Sequence, residues 1–228
     1  MPSHNPSVVV VIAAYNEASV IADVVADVVE AGYRVVVVDD GSRDGTGPLA
    51  RAAGATVVTH PINLGQGAAL QTGFDWALAH DADAVVTFDA DGQHRVADIA
   101  RLVDTLRSRA VDYALGSRFL GSTVALPTSR RLLLAAATAF TRLTTGLAVT
   151  DTHNGLRAMT RRGAARLRLR QNRMAHASEI LHQIARSGLP WTETPVTIEY
   201  SAYSLAKGQR MGDALTILVD LFAHRMHR

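Results

Sequence analysis

The chain has 228 residues, of which 48% are hydrophobic, and it has no cysteine. This length and composition suffice to bury one full core, so we expect a single domain over residues 1–228. The absence of cysteine excludes disulfides, iron–sulfur clusters and thiolate zinc sites. The 23 basic and 21 acidic side chains leave a formal charge of only +2, which does not indicate a nucleic-acid partner.

The amino terminus is short and polar up to Ser7, which is not the pattern of a signal peptide. The longest helical apolar run, Leu132 to Phe140, is far shorter than the ~20 residues that span a bilayer. We therefore expect a cytoplasmic protein without a transmembrane helix.

Three apolar runs predict β-strands, and each run ends in a polar cluster. The runs are Val8 to Ala14, Val35 to Val38 and Val85 to Phe88, and a helical apolar pattern follows the first. The polar clusters are Tyr15-Asn16-Glu17, Asp39-Asp40-Gly41-Ser42 and Asp89-Ala90-Asp91-Gly92-Gln93. In a doubly wound α/β sheet, ligands bind at the edge formed by the carboxyl ends of the strands. The sequence therefore predicts an α/β fold whose ligand site lies at that edge.

The cluster after the third run predicts a metal site. Asp89 and Asp91 point the same way if the strand continues, and Gly92 lets the backbone turn so that Gln93 returns toward them. Oxygen ligands of this kind suit Mg²⁺ or Mn²⁺, which take one or two carboxylates together with waters and substrate phosphates. On these residues alone, a strand that ends in a solvated Asp-Gly turn explains the pattern equally well.

Five motifs, in this order, resemble those of the family 2 inverting glycosyltransferases. They are Ala13 to Glu17, Val38 to Thr46, Asn63 to Ala69, Asp89 to His94 and Gly116 to Arg118. Asp151 to Ala158 is similar to a block of the branch that transfers sugars to dolichyl or polyprenyl phosphate. The resemblance implies a glycosyltransferase A type three-layer α/β/α sandwich with a mostly parallel sheet. It also implies a nucleotide-sugar-binding half over about residues 1–120 and an acceptor half over about 121–228.

The same resemblance assigns roles at the donor site. A divalent ion held by Asp89, Asp91 and Gln93 would stabilise the departing diphosphate, and Asp91 would be essential for turnover. Arg118 and Lys207 would contact the donor phosphates, with Lys207 in a segment that closes as a lid. The residues expected to bind the nucleotide sugar, a UDP- or GDP-sugar, are Ala14, Tyr15, Glu17, Val38, Asp39, Asp89, Ala90, Asp91, Arg118 and Lys207. For Tyr15, a place in the core is the alternative.

Two kinds of acceptor remain open. A polyprenyl phosphate attacks through its own oxyanion, so Arg130, Arg131 and Arg157 need only hold it in line. A hydroxyl of a glycan or small molecule needs a base, and Asp151 has the best motif position, although an Asp that caps a turn explains it equally. A nucleotidyltransferase or a non-catalytic sugar-nucleotide-binding protein is a weaker alternative. The loop after the first strand, Tyr15-Asn16-Glu17, is not the glycine-rich loop of a nucleotidyltransferase.

Two stretches, residues 130–149 and 211–228, combine an apolar face with basic residues. Such helices lie on a membrane surface, form a dimer interface or pack on the core of their own protein. We expect the first of these, peripheral contact with the inner face of the membrane, and retain a homodimer as an alternative. The sequence does not distinguish UDP from GDP donors or one hexose from another.

Overall fold

The computed structural model describes residues 7–124, 138–139, 141–171 and 175–200. The strands are β1 (Val8–Ala14), β2 (Arg34–Asp39), β3 (Thr56–Thr59), β4 (Ala84–Thr87), β5 (Tyr113–Val124), β6 (Arg157–Thr160) and β7 (Trp191–Glu199). The helices are α1 (Ile21–Glu30), α2 (Thr46–Ala52), α3 (Gln66–Ala79), α4 (Ala97–Ser108), α5 (Arg161–Ala164) and α6 (Ala175–Ser187).

All seven strands form one sheet in the order β3-β2-β1-β4-β6-β5-β7. β1 pairs in parallel with β2 and β4, β2 pairs in parallel with β3, and β5 pairs in parallel with β7. Among the described strands, β6 alone runs antiparallel to its neighbours, β4 and β5. The predicted mostly parallel sheet is confirmed. Because β1 and β2 are paired in register from Val9 to Ala14, Ala14 lies beside Asp39 and the loops after both strands start together.

Helices cover both faces of the sheet because the side chains of β1 alternate between two cores. Val10 and Ile12 pack with residues of α1, α2 and α4, whereas Val9 and Val11 pack with residues of α3, α5 and α6. The helical pattern after β1 buries Ile21, Val24, Val25 and Val28. The three-layer α/β/α arrangement expected from the sequence is therefore present.

The third strand ends earlier than the sequence suggested. β4 stops at Thr87, whose ladder partner Arg157 is the first residue of β6, and the Phe88 N–H still donates to the Val11 carbonyl at 3.0 Å. Asp89 and Asp91 therefore lie beyond the strand, so the continuing strand on which they were expected to point the same way is absent there. Gly92 does turn the chain there, with a φ of +73°.

Several predicted features lie outside the described residues. These are Arg130, Arg131, Lys207, the stretch 211–228 and most of the first part of the stretch 130–149. Residues 141–145, which belong to the first of the two stretches predicted for membrane-surface contact, are helical. Within the described residues, no helix combines the length and the hydropathy needed to cross a membrane.

Asp40, the second acid of the pair after β2, holds the turn between β3 and α3. Its side chain is buried and accepts the backbone N–H groups of Leu64 at 2.9 Å and Gly65 at 2.7 Å. The same carboxylate lies 2.7 Å from Nδ1 of His60. Asp40 is therefore committed to the fold, which leaves Asp39 as the acid of this pair that is available to a ligand.

Asp40→Ala should destabilise the protein by about 3 kcal/mol, because two backbone N–H groups and His60 lose their acceptor. We expect the midpoint of thermal unfolding to fall by roughly 5–10 °C. Asp75→Ala is the matched control, because Asp75 is exposed on α3 and accepts a hydrogen bond from the side chain of its helix neighbour Gln71. An equal, small effect of both substitutions would contradict the role of Asp40.

Candidate active site

Hydrogen bonds connect the loop after β1 to the loop after β2. The Asn16 N–H donates to Ser42 Oγ at 2.9 Å, and Asn16 Oδ1 accepts the Arg43 N–H at 3.1 Å. The Glu17 N–H donates to Thr46 Oγ1 at 2.8 Å, which links the first loop to the start of α2. These hydrogen bonds fix the positions of the residues predicted to line the nucleotide pocket.

The predicted pocket residues differ in exposure. Tyr15 is 44% exposed, so the alternative that places it in the core is wrong. Glu17 and Asp39 are buried, and Asp39 Oδ1 accepts the Ser42 N–H at 3.0 Å. A Cβ on Gly47 would lie 2.5 Å from Asp39 Oδ2, so α2 begins directly against this carboxylate. The remaining pocket residues, Ala14, Val38 and Ala90, are buried at the ends of β1 and β2 and in the turn after β4.

Asp89 is held from two sides. Its Oδ2 lies 2.8 Å from Nε2 of His94, and a Cβ added to Gly155 would lie 2.2 Å from both carboxylate oxygens. Burial raises the pKa of Asp89, but the charge and hydrogen bond of His94 and the charge of Arg157 outweigh burial and hold the pKa below its usual range. Asp89 is therefore ionised, with about 33% of its side chain exposed toward the site.

Asp91 has the opposite electrostatic environment. Burial and the negative charge of Asp89 raise its pKa to about 6, and Glu17 adds to the increase. Its Oδ1 accepts the Gln93 N–H at 3.2 Å. The turn thus brings a second carboxylate close to an ionised one without enough positive charge to neutralise both.

This donor set fits a divalent ion. No group of three or more His, Asp or Glu side chains within the described part of the chain forms a metal cluster. Mg²⁺ and Mn²⁺ do not need one, because they bind one or two carboxylates and fill their other positions with waters and phosphate oxygens. Asp89, Asp91 and the amide of Gln93 would supply oxygens of this kind, and the repulsion between the carboxylates would be relieved by the ion.

Arg118 and Asp151 form a buried ion pair at the other side of the site. Arg118 donates to Asp151 Oδ2 from Nε at 2.6 Å and from its backbone N–H at 3.1 Å, and Nη1 donates to the Tyr200 hydroxyl at 2.7 Å. Burial lowers the pKa of Arg118, but the charge of Asp151 outweighs it, so the pKa is raised. The side chain of Asp151 is fully buried. In this structure its Oδ2 is occupied by the arginine.

Arg157, predicted to hold an acceptor phosphate, is buried at the start of β6. It is 5% exposed and donates to the Thr152 carbonyl at 3.3 Å. Burial lowers its pKa to about 10, and the negative charges of Asp89 and Asp151 act in the opposite direction. The positive charge of Arg157 therefore interacts with both Asp89 and Asp151. It couples Asp89 electrostatically to the Arg118–Asp151 pair.

Sequence reasoning missed four contributors to this site. His94 and Gly155 hold Asp89, Tyr200 accepts from Arg118, and Glu193 Oε1 accepts the Asp151 N–H at 3.1 Å. The position of His94 in the Asp-Gly-Gln-His motif was a signal. The pairing of Arg118 with Asp151, 33 residues away, and with Tyr200, 82 residues away, gave none in the sequence.

A family model described as glycosyl transferase family 2 matches residues 9–168, more than half of the chain. The chain belongs to this family. The identification that the sequence motifs suggested is confirmed, and the protein is a glycosyltransferase. The matched residues include the loops after β1 and β2, the carboxylate turn and the Arg118–Asp151 pair.

Among curated relatives, the family 2 chain is 30% identical to the UDP-N-acetylglucosamine–dolichyl-phosphate N-acetylglucosaminyltransferase of Methanococcus voltae, and the alignment covers 95% of each chain. It is 37% identical over 162 residues to the polyprenol monophosphomannose synthase of Mycolicibacterium smegmatis, covering 67% of this chain and 61% of that protein. These similarities agree with the lipid-phosphate branch of the family.

Among solved structures, the glucosyl-3-phosphoglycerate synthase of Mycobacterium tuberculosis, in complex with Mg²⁺ and UDP, is similar with a TM-score of 0.71. The sequences are 21% identical, and the alignment covers 96% of this chain and 79% of that chain. The predicted glycosyltransferase A type fold is confirmed by this similarity.

The raised pKa of Asp91 predicts a pH-dependent penalty on folding. The folded protein holds this proton more tightly than the unfolded chain, so stability falls as the pH rises from about 4 to about 6, and the penalty is fully present above that range. In EDTA, Asp91→Asn should therefore stabilise the protein at pH 7.5 by on the order of 1–3 kcal/mol, since one pKa unit corresponds to about 1.4 kcal/mol.

Thermal unfolding of both proteins from pH 3.5 to 8 measures this effect. The midpoint of Asp91→Asn should exceed that of wild type at pH 7.5, and the difference should shrink toward pH 4. A variant that is less stable than wild type at pH 7.5 would contradict the electrostatic account of the turn.

Proposed function

We propose that this glycosyltransferase transfers a hexose from a nucleotide diphosphate sugar to a polyprenyl phosphate, with inversion at the anomeric carbon. The observation that carries the proposal is the part-buried pair of carboxylates, Asp89 and Asp91, at the sheet edge beside the ordered loops after β1 and β2. A divalent ion bound there would neutralise the excess negative charge of the two carboxylates, at the position proposed for the diphosphate of the donor.

Residues at or just after the ends of β1, β2 and β4 would bind the nucleotide-sugar donor. Asp39 would accept hydrogen bonds from the base or ribose, and the exposed ring of Tyr15 would cover the nucleotide. When bound at Asp89, Asp91 and Gln93, a divalent ion supplies Lewis-acid stabilisation of the negative charge on the leaving diphosphate. The glucosyl-3-phosphoglycerate synthase of similar fold was solved with Mg²⁺ and UDP, which supports the use of a divalent ion and a nucleotide donor.

The burial of the Asp151 carboxylate and its pairing with Arg118 favour a phosphate acceptor. Its buried carboxylate accepts two hydrogen bonds from Arg118 and lies 3.5 Å from Nδ2 of Asn154, so it serves Arg118 in this structure. A hydroxyl acceptor would need a base that can reach it, whereas a phosphate oxyanion attacks without one. The names of both curated relatives include a lipid phosphate or polyprenol product, which agrees with this choice.

The proposed reaction balances as a single displacement. A phosphate oxygen of the acceptor forms a bond to the anomeric carbon, while the bond from that carbon to the diphosphate oxygen breaks and its electron pair leaves with the nucleoside diphosphate. Arg118 and Arg157 would supply positive charge near the two phosphate groups, together with Arg130, Arg131 and Lys207. Because the acceptor lies in a membrane, we propose peripheral contact with the inner face.

A transfer assay with purified protein tests the proposal. UDP- and GDP-hexoses are each incubated with Mn²⁺ or EDTA and with polyprenyl phosphate, the unphosphorylated polyprenol, or a free sugar. We expect product only with the phosphate and only with the metal. Asp91→Asn should reduce turnover by about 100-fold or more, as when a group that stabilises developing negative charge is removed, whereas Asp75→Ala should be unaffected.

Three outcomes would contradict the proposal. Equal turnover in EDTA would remove the metal from the mechanism, and transfer to polyprenol or to a free sugar in preference to the phosphate would assign a hydroxyl acceptor. Pyrophosphate release from a nucleoside triphosphate would instead indicate a nucleotidyltransferase.

A further inference from the structure

His94 makes one specific polar contact, and that contact is to a proposed metal ligand. Nε2 of its imidazole lies 2.8 Å from Asp89 Oδ2, which is the distance of a hydrogen bond that a carboxylate oxygen accepts. The other ring nitrogen, Nδ1, is buried and has no hydrogen-bond partner among the residues that the structure describes. A ring kept only for packing would avoid this unpaired polar atom, because burying it costs free energy.

The imidazole is itself fixed in place. Its side chain is 2% exposed, and the ring meets the ring of Phe88 edge to face at a centroid distance of 5.3 Å. The backbone of His94 forms a bridge with Ile198, and the Glu199 N–H donates to the Gln93 carbonyl at 2.9 Å. β7 therefore anchors the segment that carries the histidine.

Asp89 is also confined by Gly155. Gly155 packs against both carboxylate oxygens so closely that no Cβ fits, and its carbonyl accepts the Thr87 hydroxyl at 2.5 Å. Among the described residues, the hydrogen bond found for the Asp91 carboxylate comes from the Gln93 N–H of its own turn. The two acids are therefore unequal, since Asp89 is oriented before any ion arrives and Asp91 is not.

We infer that His94 is a positioning residue, which holds the carboxylate of Asp89 in the orientation that receives the divalent ion of the donor complex. The inference rests on the proposed function, because it requires that Asp89 bind the ion. A carboxylate that is already oriented loses less freedom on coordination, and removal of such a hydrogen-bonding partner commonly weakens metal binding by about 10- to 100-fold.

A matched pair of substitutions separates the hydrogen bond from the bulk of the side chain. In His94→Gln the longer amide places its nitrogen near the position of Nε2, whereas in His94→Asn the shorter amide cannot reach Asp89. We expect the affinity for Mn²⁺, measured by electron paramagnetic resonance with UDP or GDP present, to fall about 10- to 100-fold in His94→Asn. In His94→Gln it should stay within about threefold of wild type, since the donor is retained.

His80→Asn is the control, because His80 lies between α3 and β4, at the opposite end of β4 from Asp89, and its Nδ1 lies 2.7 Å from the Trp76 carbonyl. Its Mn²⁺ affinity should equal that of wild type. If His94→Asn does not fold, ¹⁵N spectra of the wild-type imidazole decide the matter, because the Nε2–H resonance should shift when Mg²⁺ and nucleotide bind. No shift would overturn the inference.

The outcomes distinguish this inference from the proposed function. Equal affinity of wild type and His94→Asn for Mn²⁺ would overturn the role of His94 alone, as would an equally large loss in His94→Gln and His94→Asn. Absence of Mn²⁺ binding by wild type with every nucleotide would overturn the proposed metal-dependent function and the inference together.

Discussion

The repulsion between Asp89 and Asp91 is the constraint around which this site is arranged. Two carboxylates in one part-buried turn cannot both ionise freely, and burial together with the negative charge of Asp89 raises the pKa of Asp91 to about 6. The surrounding positive charge favours one of them, since His94 and Arg157 act on Asp89. The fold therefore tolerates an arrangement that is unfavourable in the free protein and would become favourable once a divalent ion is bound, which is typical of a site kept for function.

The rest of the structure supports this turn from both sides. β6, the antiparallel strand, begins beside the end of β4 and brings Gly155 and Arg157 against Asp89. β7 holds the segment of His94 at one point and, through Tyr200, the guanidinium of Arg118 at another. One sheet edge thus fixes the positions of Asp89, Arg118 and Arg157 relative to each other.

The sequence predicted the parts of the fold that repeat a simple pattern. β1, β2 and α1 followed from apolar runs and helical spacing, because burial on two faces of a sheet imposes those patterns directly. The mostly parallel sheet was implied by the family resemblance. β6 has only four residues, and its sequence, Arg-Ala-Met-Thr, carries no alternation that distinguishes it from a loop. The end of β4 at Thr87 depends on where its partner begins, and so no local signal marks it.

Within the site, the residue types were predictable and their partners were not. The acids and Arg118 were identified because they follow strands or lie in family motifs. Three features are consequences of contacts between distant segments: Asp151 is enclosed by Arg118, Asp40 holds the turn before α3, and Gly155 leaves no room for a Cβ beside Asp89. Contacts of this kind become visible only when the sheet is assembled.

We propose that the turn after β4 binds the divalent ion that accompanies the diphosphate of the nucleotide donor. Anomalous diffraction at the manganese edge, from crystals grown with Mn²⁺ and UDP or GDP, tests it most directly. We expect one strong anomalous peak for manganese within coordination distance of Asp91 and Asp89, with diphosphate oxygens completing the coordination. Nucleotide bound without a manganese peak at this turn, or a peak at other residues, would contradict it.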